Sequence, residues 1–293
     1  MERIGHRGAR GLFPENTLEG FLRTAALGVD GIEIDIAMTA DDAVVVSHDP
    51  ALNPDIARGP DGAWLGGPGP RIRELTLAEL VRFDVGRIRP GSRYAALYPK
   101  QQPIDGAHVP SLAETLAALP AMRFTLELKT FPDQPRWTVP PETMAEAVLA
   151  VIEAADAQTR VVVQSFDWRG PRHLRRLQDR SPESACCSIS WAWLTSPSTV
   201  AAAALWWNGP TPADFGGSVP QAVAAEGAGD IWAPAYEELT QDQVAEAQNL
   251  GLRVVPWTVN RCRDMARLMA WGVDGIITDR PDLFPAAQAL APS

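Results

Sequence analysis

The sequence predicts an α/β protein, a (β/α)8 TIM barrel with a small insertion after the second strand. Three observations carry this. Eight short apolar runs alternate with eight helix-like segments along the chain. The second and third runs set aliphatic residues on one face and charged residues on the other. The 293 residues suffice for one barrel, a fold that takes roughly 250. A Rossmann-type sheet is the competing fold, but Gly5-His6-Arg7-Gly8 after the first strand lacks the glycine spacing of a dinucleotide loop.

Strands are expected at 4–7, 31–39, 123–129, 160–166, 185–190, 230–234, 253–259 and 275–278. Helices are expected near 17–27, 111–119, 141–155, 168–178, 197–207, 240–250, 261–271 and 281–290. Asn16-Thr17 followed by Glu19, Ser111 followed by Glu114, and Thr240 before Gln241-Asp242 are helix start signals, and Gly28 and Gly251 stand where helices should stop. Met144, Val148, Val151, Ile152 and Ala155 form the clearest apolar stripe at helical spacing. After the turn at Ala40-Asp41-Asp42, the extended run Val44-Val45-Val46 can return along the second strand as a ribbon. From 49 to 110 the chain is crowded with Gly and Pro, Gly66-Gly67-Pro68-Gly69-Pro70 included, with one short helical candidate at 76–83. A stretch of that length and composition reads as an insertion folded over one end of the barrel, within a single domain spanning 1–293. A second irregular stretch, 208–229, reads as another loop at the same end.

The chain is 46% hydrophobic and 21% charged, which excludes an intrinsically disordered protein. Its net charge of −10, with only two lysines, Lys100 and Lys129, and no basic stripe, argues against a nucleic-acid partner. An anionic small molecule remains compatible if positive charge is gathered locally. The cysteines Cys186, Cys187 and Cys262 have neither disulfide-framework nor zinc-site spacing, so reduced, buried thiols are expected. No signal peptide and no membrane span are read, and a soluble, cytoplasmic protein is the expectation.

In the second strand Ile32, Ile34 and Ile36 point one way, leaving Glu33 and Asp35 directed into the barrel. The third repeats this, with Phe124, Leu126 and Leu128 outward and Glu127 and Lys129 inward. Neighbouring strands lie about 5 Å apart, so three carboxylates converge beside a lysine. Such anions repel unless neutralised, and an all-oxygen set favours one divalent cation, Mg²⁺ or Ca²⁺, over zinc. The bland alternative makes Glu33 and Asp35 strand-end residues paired with arginines, and the matching Glu127–Lys129 pair weighs against it. Of four histidines, His108 and His173 read as structural or surface residues. His6 ends the first strand, where barrel active sites are built, and the ribbon would fold His48 back toward Glu33. Two imidazoles beside a cation suit general acid–base catalysis, while Arg7 and Lys129 could bind a phosphate.

His6-Arg7-Gly8, Pro14-Glu15-Asn16-Thr17, Glu33-x-Asp35, Thr39-x-Asp41 and His48-Asp49 together resemble the glycerophosphodiester phosphodiesterase family. Pro110-Ser111-Leu112, Glu127-Leu128-Lys129, Gln164-Ser165-Phe166, Trp257-Thr258-Val259-Asn260 and Gly275-Ile276-Ile277-Thr278-Asp279 extend the resemblance from residue 4 to about 284. It implies a barrel with a small insertion, metal ligands at Glu33, Asp35 and Glu127, an acid–base pair at His6 and His48, and phosphate contacts at Arg7 and Lys129. The implied reaction yields glycerol 3-phosphate and an alcohol from a glycerophosphodiester.

Trp257 ends the seventh barrel strand and could line the site against the glycerol moiety. Trp191 and Trp193 either form an aromatic wall for a quaternary ammonium or fill space between loops and barrel, the second being preferred. Trp206 and Trp207 read as packing residues. The alternative functions are a lysophospholipase D-like or sphingomyelinase D-like enzyme acting on lysolipids, and a non-catalytic binding protein. The first needs an apolar groove or a membrane-facing loop, and the sequence shows no amphipathic basic segment to provide one; the second should have lost a chemical residue, yet all are present.

Overall fold

The alternation along the second strand decides the layering. A computed structural model describes residues 1–180, 188–193, 205–209, 211–227 and 231–291. Ile32, Ile34 and Ile36 are fully buried in one cluster with Phe124, Leu126 and Leu128, and Met144, Val148 and Ile152 of the helix Pro141–Ala154 join it. Each such side chain contributes about 1.5–3 kcal/mol by leaving water, so this face commits the strands to a helical cover.

The strands are β1 (Glu2–His6), β2 (Gly31–Met38), β3 (Val44–Val46), β4 (Arg123–Leu128), β5 (Val161–Ser165), β6 (Ser188–Trp193), β7 (Ile231–Pro234), β8 (Arg253–Val254) and β9 (Gly275–Thr278). All except β3 run parallel in the order β8-β7-β6-β5-β4-β2-β1-β9. Backbone hydrogen bonds from Asp274 N to Val254 O (2.9 Å) and from Ile277 N to Pro256 O (3.0 Å) bridge the remaining seam, giving the expected eight-stranded TIM barrel. Inside it, Ile4, Ile231, Val255 and Ile277 form an apolar floor, with Val162 against them. Two residues further along their strands, His6 and Gln164 face the same interior.

Antiparallel pairing of Val44–Val46 with Ile36–Met38 makes the expected ribbon. The start signals are also realised: Thr17 accepts from Gly20 N, while Ser111 with Glu114 and Thr240 with Gln243 form reciprocal capping boxes. Gly28 and Gly251 take φ of +74° and +81°, a left-handed geometry that ends a helix without the strain a Cβ would bring.

Several boundaries differ from expectation. The strand expected at 253–259 pairs as a ladder only over Arg253–Val254, because Pro256 has no N–H to donate; Trp257 then makes a single bridge to Ala235. The strand expected at 185–190 is Ser188–Trp193, and 185–187 lie outside the described residues. Of the helix expected near 197–207, residues 205–207 are helical and 197–204 lie outside the described residues. The stretch 208–229 holds a 3₁₀ turn, Pro212–Phe215, and a helix, Val219–Ala224, capped by Ser218.

Segment 49–110 has more structure than its composition suggests. It contains short helical turns at Ile72–Glu74, Leu77–Leu80 and Arg93–Leu97. Leu52, Ala57, Ile72, Leu80, Val85 and Val109 form a separate apolar cluster anchored on Ala37 of β2 and Val45 of β3. Among the described residues no helix is long and apolar enough to cross a membrane.

Candidate active site

Strand register assembles the acidic group. Asp35 lies beside Glu127 across the β2–β4 ladder, and His6 lies beside Glu33 across β1–β2. Glu33, Asp35 and Glu127 are all buried, and one ligand oxygen from each lies within 4.8 Å of the others. Lys129 Nζ sits 2.9 Å from Asp35 Oδ1 and also pairs with Glu127. Just after β1, Arg7 adopts φ of +51°, which turns its backbone N–H onto Glu33 Oε2 at 3.0 Å. Its side chain meets Glu15 Oε1 at 2.8 Å and Asp35 Oδ2 at 3.2 Å, and Asn16 Nδ2 donates to that same Asp35 oxygen at 2.9 Å.

The three carboxyls do not titrate alike. Burial, with Asp35 and Glu127 nearby, pushes Glu33 well above the usual carboxylate range. Asp35 is just as buried, but Lys129 and Arg7 outweigh that and hold it well below. Glu33 Oε1 is buried with no hydrogen-bond partner among the described residues. An unsatisfied carboxylate oxygen facing two more carboxylates gives a group that could hold a metal ion through oxygen ligands.

Each candidate histidine has its own carboxylate. His6 Nδ1 is 2.6 Å from Asp279 Oδ1, and its Nε2 is 3.8 Å from Glu33 Oε2. Burial lowers the imidazole to about 4 in spite of Asp279. A neutral ring donating from Nδ1 leaves the Nε2 lone pair toward the cavity. Asn260 Nδ2 and Arg10 Nε, at 2.7 and 3.0 Å, also donate to Asp279. His48 Nδ1 is 2.7 Å from Asp49 Oδ1, and Asn53 Nδ2 holds the other Asp49 oxygen at 3.1 Å.

A cavity of about 270 Å³ opens above this group, and His6, Arg7, Glu33, His48, Glu127, Lys129 and Trp257 all line it. Of the sequence candidates, only Asp35 stands behind the wall, covered by Lys129. Trp257 Nε1 donates to Ala233 O at 2.9 Å and its ring meets Phe166 edge to face at 5.4 Å, so the indole is fixed at the cavity rim.

Residues 6–283 match the model of the Glycerophosphoryl diester phosphodiesterase family. The chain belongs to that family. It is 27% identical over 281 residues to a glycerophosphodiester phosphodiesterase of Caldanaerobacter subterraneus subsp. tengcongensis, covering 95% of this chain and 94% of the relative. It is 28% identical over 291 residues to a glycerophosphodiester phosphodiesterase of Bacillus subtilis, covering 96% and 84%. A crystal structure from Silicibacter pomeroyi DSS-3, provisionally named a glycerophosphoryl diester phosphodiesterase, superposes with a TM-score of 0.86 at 36% identity, covering 99% of this chain and 93% of that one.

Several residues that contact the candidate site in this phosphodiesterase carried no assigned role in the sequence. Asp279 and Asn260 stand just past β9 and β8, where barrel active sites gather, so that rule could have found them. Arg10 lies in an irregular loop with no period to mark it. Trp191 is fully buried, edge to face with Trp168 at 5.0 Å, so it packs the core and forms no aromatic wall; the Trp193 side chain lies outside the described residues. Trp206 and Trp207 pack against the same core. His173 Nε2 pairs with Glu146 at 2.7 Å, away from the cavity, and His108 does not line it. Cys262 is free and half-buried, more exposed than expected, and Cys186 and Cys187 lie outside the described residues.

Proposed function

We propose that this phosphodiesterase hydrolyses glycerophosphodiesters, glycerophosphocholine and glycerophosphoethanolamine among them, to glycerol 3-phosphate and an alcohol. His6 and His48 serve as the acid–base pair, and Glu33, Asp35 and Glu127 hold one divalent cation, Mg²⁺ or Ca²⁺. The observation that carries this reading is the pair of His–Asp units, His6–Asp279 and His48–Asp49, meeting at one cavity ringed by carboxylates.

Arg7 and Lys129 draw the phosphate into the cavity and share their charge between it and the carboxylates they already contact. His6, with its free Nε2, takes the proton from the attacking hydroxyl, either water or the substrate's own 2-hydroxyl. His48 gives a proton to the departing alcohol. Where the 2-hydroxyl attacks, water then opens the cyclic phosphate. A cation held by the three carboxylates supplies charge stabilisation at the phosphoryl oxygens and lowers the pKa of the attacking hydroxyl. Trp257 packs against the glycerol end. Soluble, deacylated diesters met in the cytoplasm are the substrates of this reading.

The test is a substrate panel of glycerophosphocholine, glycerophosphoethanolamine, glycerophosphoglycerol and detergent-dispersed lysophosphatidylcholine, read as phosphorylated product. Glycerol 3-phosphate release from the soluble diesters supports the reading. Faster turnover of the dispersed lysolipid would replace it with a lysophospholipase D-like activity.

A further inference from the structure

Segment 49–110 grips the loop that carries Arg10. The Arg10 guanidinium is largely buried, with Nε 3.0 Å from Asp279 Oδ1 and Nη2 3.3 Å from Asp279 Oδ2. It thus clasps the carboxylate that accepts from His6 Nδ1. From the other side, Arg10 Cζ lies 4.7 Å from the centre of the Tyr98 ring, and Nη1 is 3.4 Å from the Tyr94 hydroxyl. The two tyrosines meet edge to face at 4.9 Å, and the Tyr94 hydroxyl donates to Glu15, the same carboxylate that takes Arg7. Gln101 Nε2 donates to Arg10 O at 2.9 Å, and Gln102 N to Leu12 O at 2.8 Å.

A carboxylate held by His6, Asn260 and a forked guanidinium cannot rotate its plane, and the ring bonded to it inherits that orientation. We propose that Arg10 is a positioning residue: Tyr94 and Tyr98 hold its guanidinium, the guanidinium fixes Asp279, and Asp279 fixes the His6 ring. Segment 49–110 is then part of the acid–base apparatus. This rests on His6 being the acid–base group. Arg10 also lines the cavity, so the competing role is direct contact with substrate.

Steady-state kinetics on the full chain, supplied with Mg²⁺ or Ca²⁺, separates the two. Arg10→Ala lowers kcat by about 10- to 100-fold and leaves KM within about twofold, the pattern of lost orientation. Arg10→Lys, which keeps the charge but not the fork, falls in the same direction and serves if the alanine variant folds poorly. Tyr98→Leu lowers kcat, Tyr98→Phe restores it by returning the ring, and Arg10→Ala/Tyr98→Leu is no slower than Arg10→Ala alone, because Tyr98 acts through Arg10. The downfield proton resonance of His6 Nδ1–H shifts or broadens in Arg10→Ala. Unchanged kcat, a raised KM with kcat kept, or additive losses in the double variant overturns the proposal. His6→Ala, run alongside, must abolish turnover; if it does not, the acid–base reading has failed and the positioning role falls with it.

Discussion

His6 Nδ1 and Asp279 Oδ1 stand 2.6 Å apart, joining the end of β1 to the residue that follows β9. The two residues are 273 positions apart in the chain and adjacent strands in the barrel, so closing the sheet is what creates the pair. Asp279→Asn keeps the shape but offers an amide where His6 needs an acceptor. It should lower kcat by about 100-fold or more, with KM nearly unchanged, because the imidazole loses its productive tautomer. Matched kcat values for the variant and the parent protein would remove Asp279 from the account.

Glu33 has the opposite character, because burial beside two other carboxylates disfavours its charged form. Its raised pKa means that, without metal, the folded state holds this proton more tightly than the unfolded chain does. That contribution is full below the unfolded value of about 4.3 and is lost as pH rises through the raised folded value. Glu33→Gln should therefore raise the Tm of chelated protein at pH 8, by about 2–4 °C for each kcal/mol of repulsion relieved, while weakening Mg²⁺ or Ca²⁺ binding. Thermal melts against pH, with and without metal, check both signs; a lower Tm in the chelated variant contradicts the assignment.

Lys129 compensates Asp35 and Glu127 at once. Lys129→Met leaves two facing carboxylates with less positive charge and should destabilise chelated protein by about 3–5 kcal/mol. Added divalent cation should recover part of that loss, and KM for the phosphodiester should rise. Denaturant titrations with and without metal measure it, and an equal loss in both conditions would separate Lys129 from the metal site.

The acidic group was legible in the sequence because strand alternation is strict: once Ile32, Ile34 and Ile36 pack outward, Glu33 and Asp35 have only the interior left. Parallel register then brings Glu127 beside Asp35. Arg10 and Tyr94 were not legible, because they meet through irregular loops where no period constrains a side chain's direction. The apolar cluster within segment 49–110 was not legible, since Gly and Pro signal turns but say nothing of how Leu52, Ile72, Leu80 and Val109 pack. The seventh barrel strand was overlong because a pattern of apolar residues cannot register the missing donor at Pro256.

Trp191 tests the distinction between packing and recognition. Trp191→Ala empties a fully buried site and should cost about 3–5 kcal/mol of stability. The ratio of kcat/KM for glycerophosphocholine over glycerophosphoethanolamine should stay the same, since the ring sits behind the strand against Trp168. A selective loss on the choline substrate would return Trp191 to the binding site.

In the proposed reaction, two histidines and a cation held by Glu33, Asp35 and Glu127 act on one phosphodiester. Glycerol 3-phosphate release by the parent protein, His6→Ala and His48→Ala, first in chelator and then with Mg²⁺ or Ca²⁺ restored, tests it most directly. Turnover is expected in the parent protein alone, abolished by chelator and returned by one of the two metals. Undiminished turnover in chelated parent protein, or in either folded histidine variant, would contradict it.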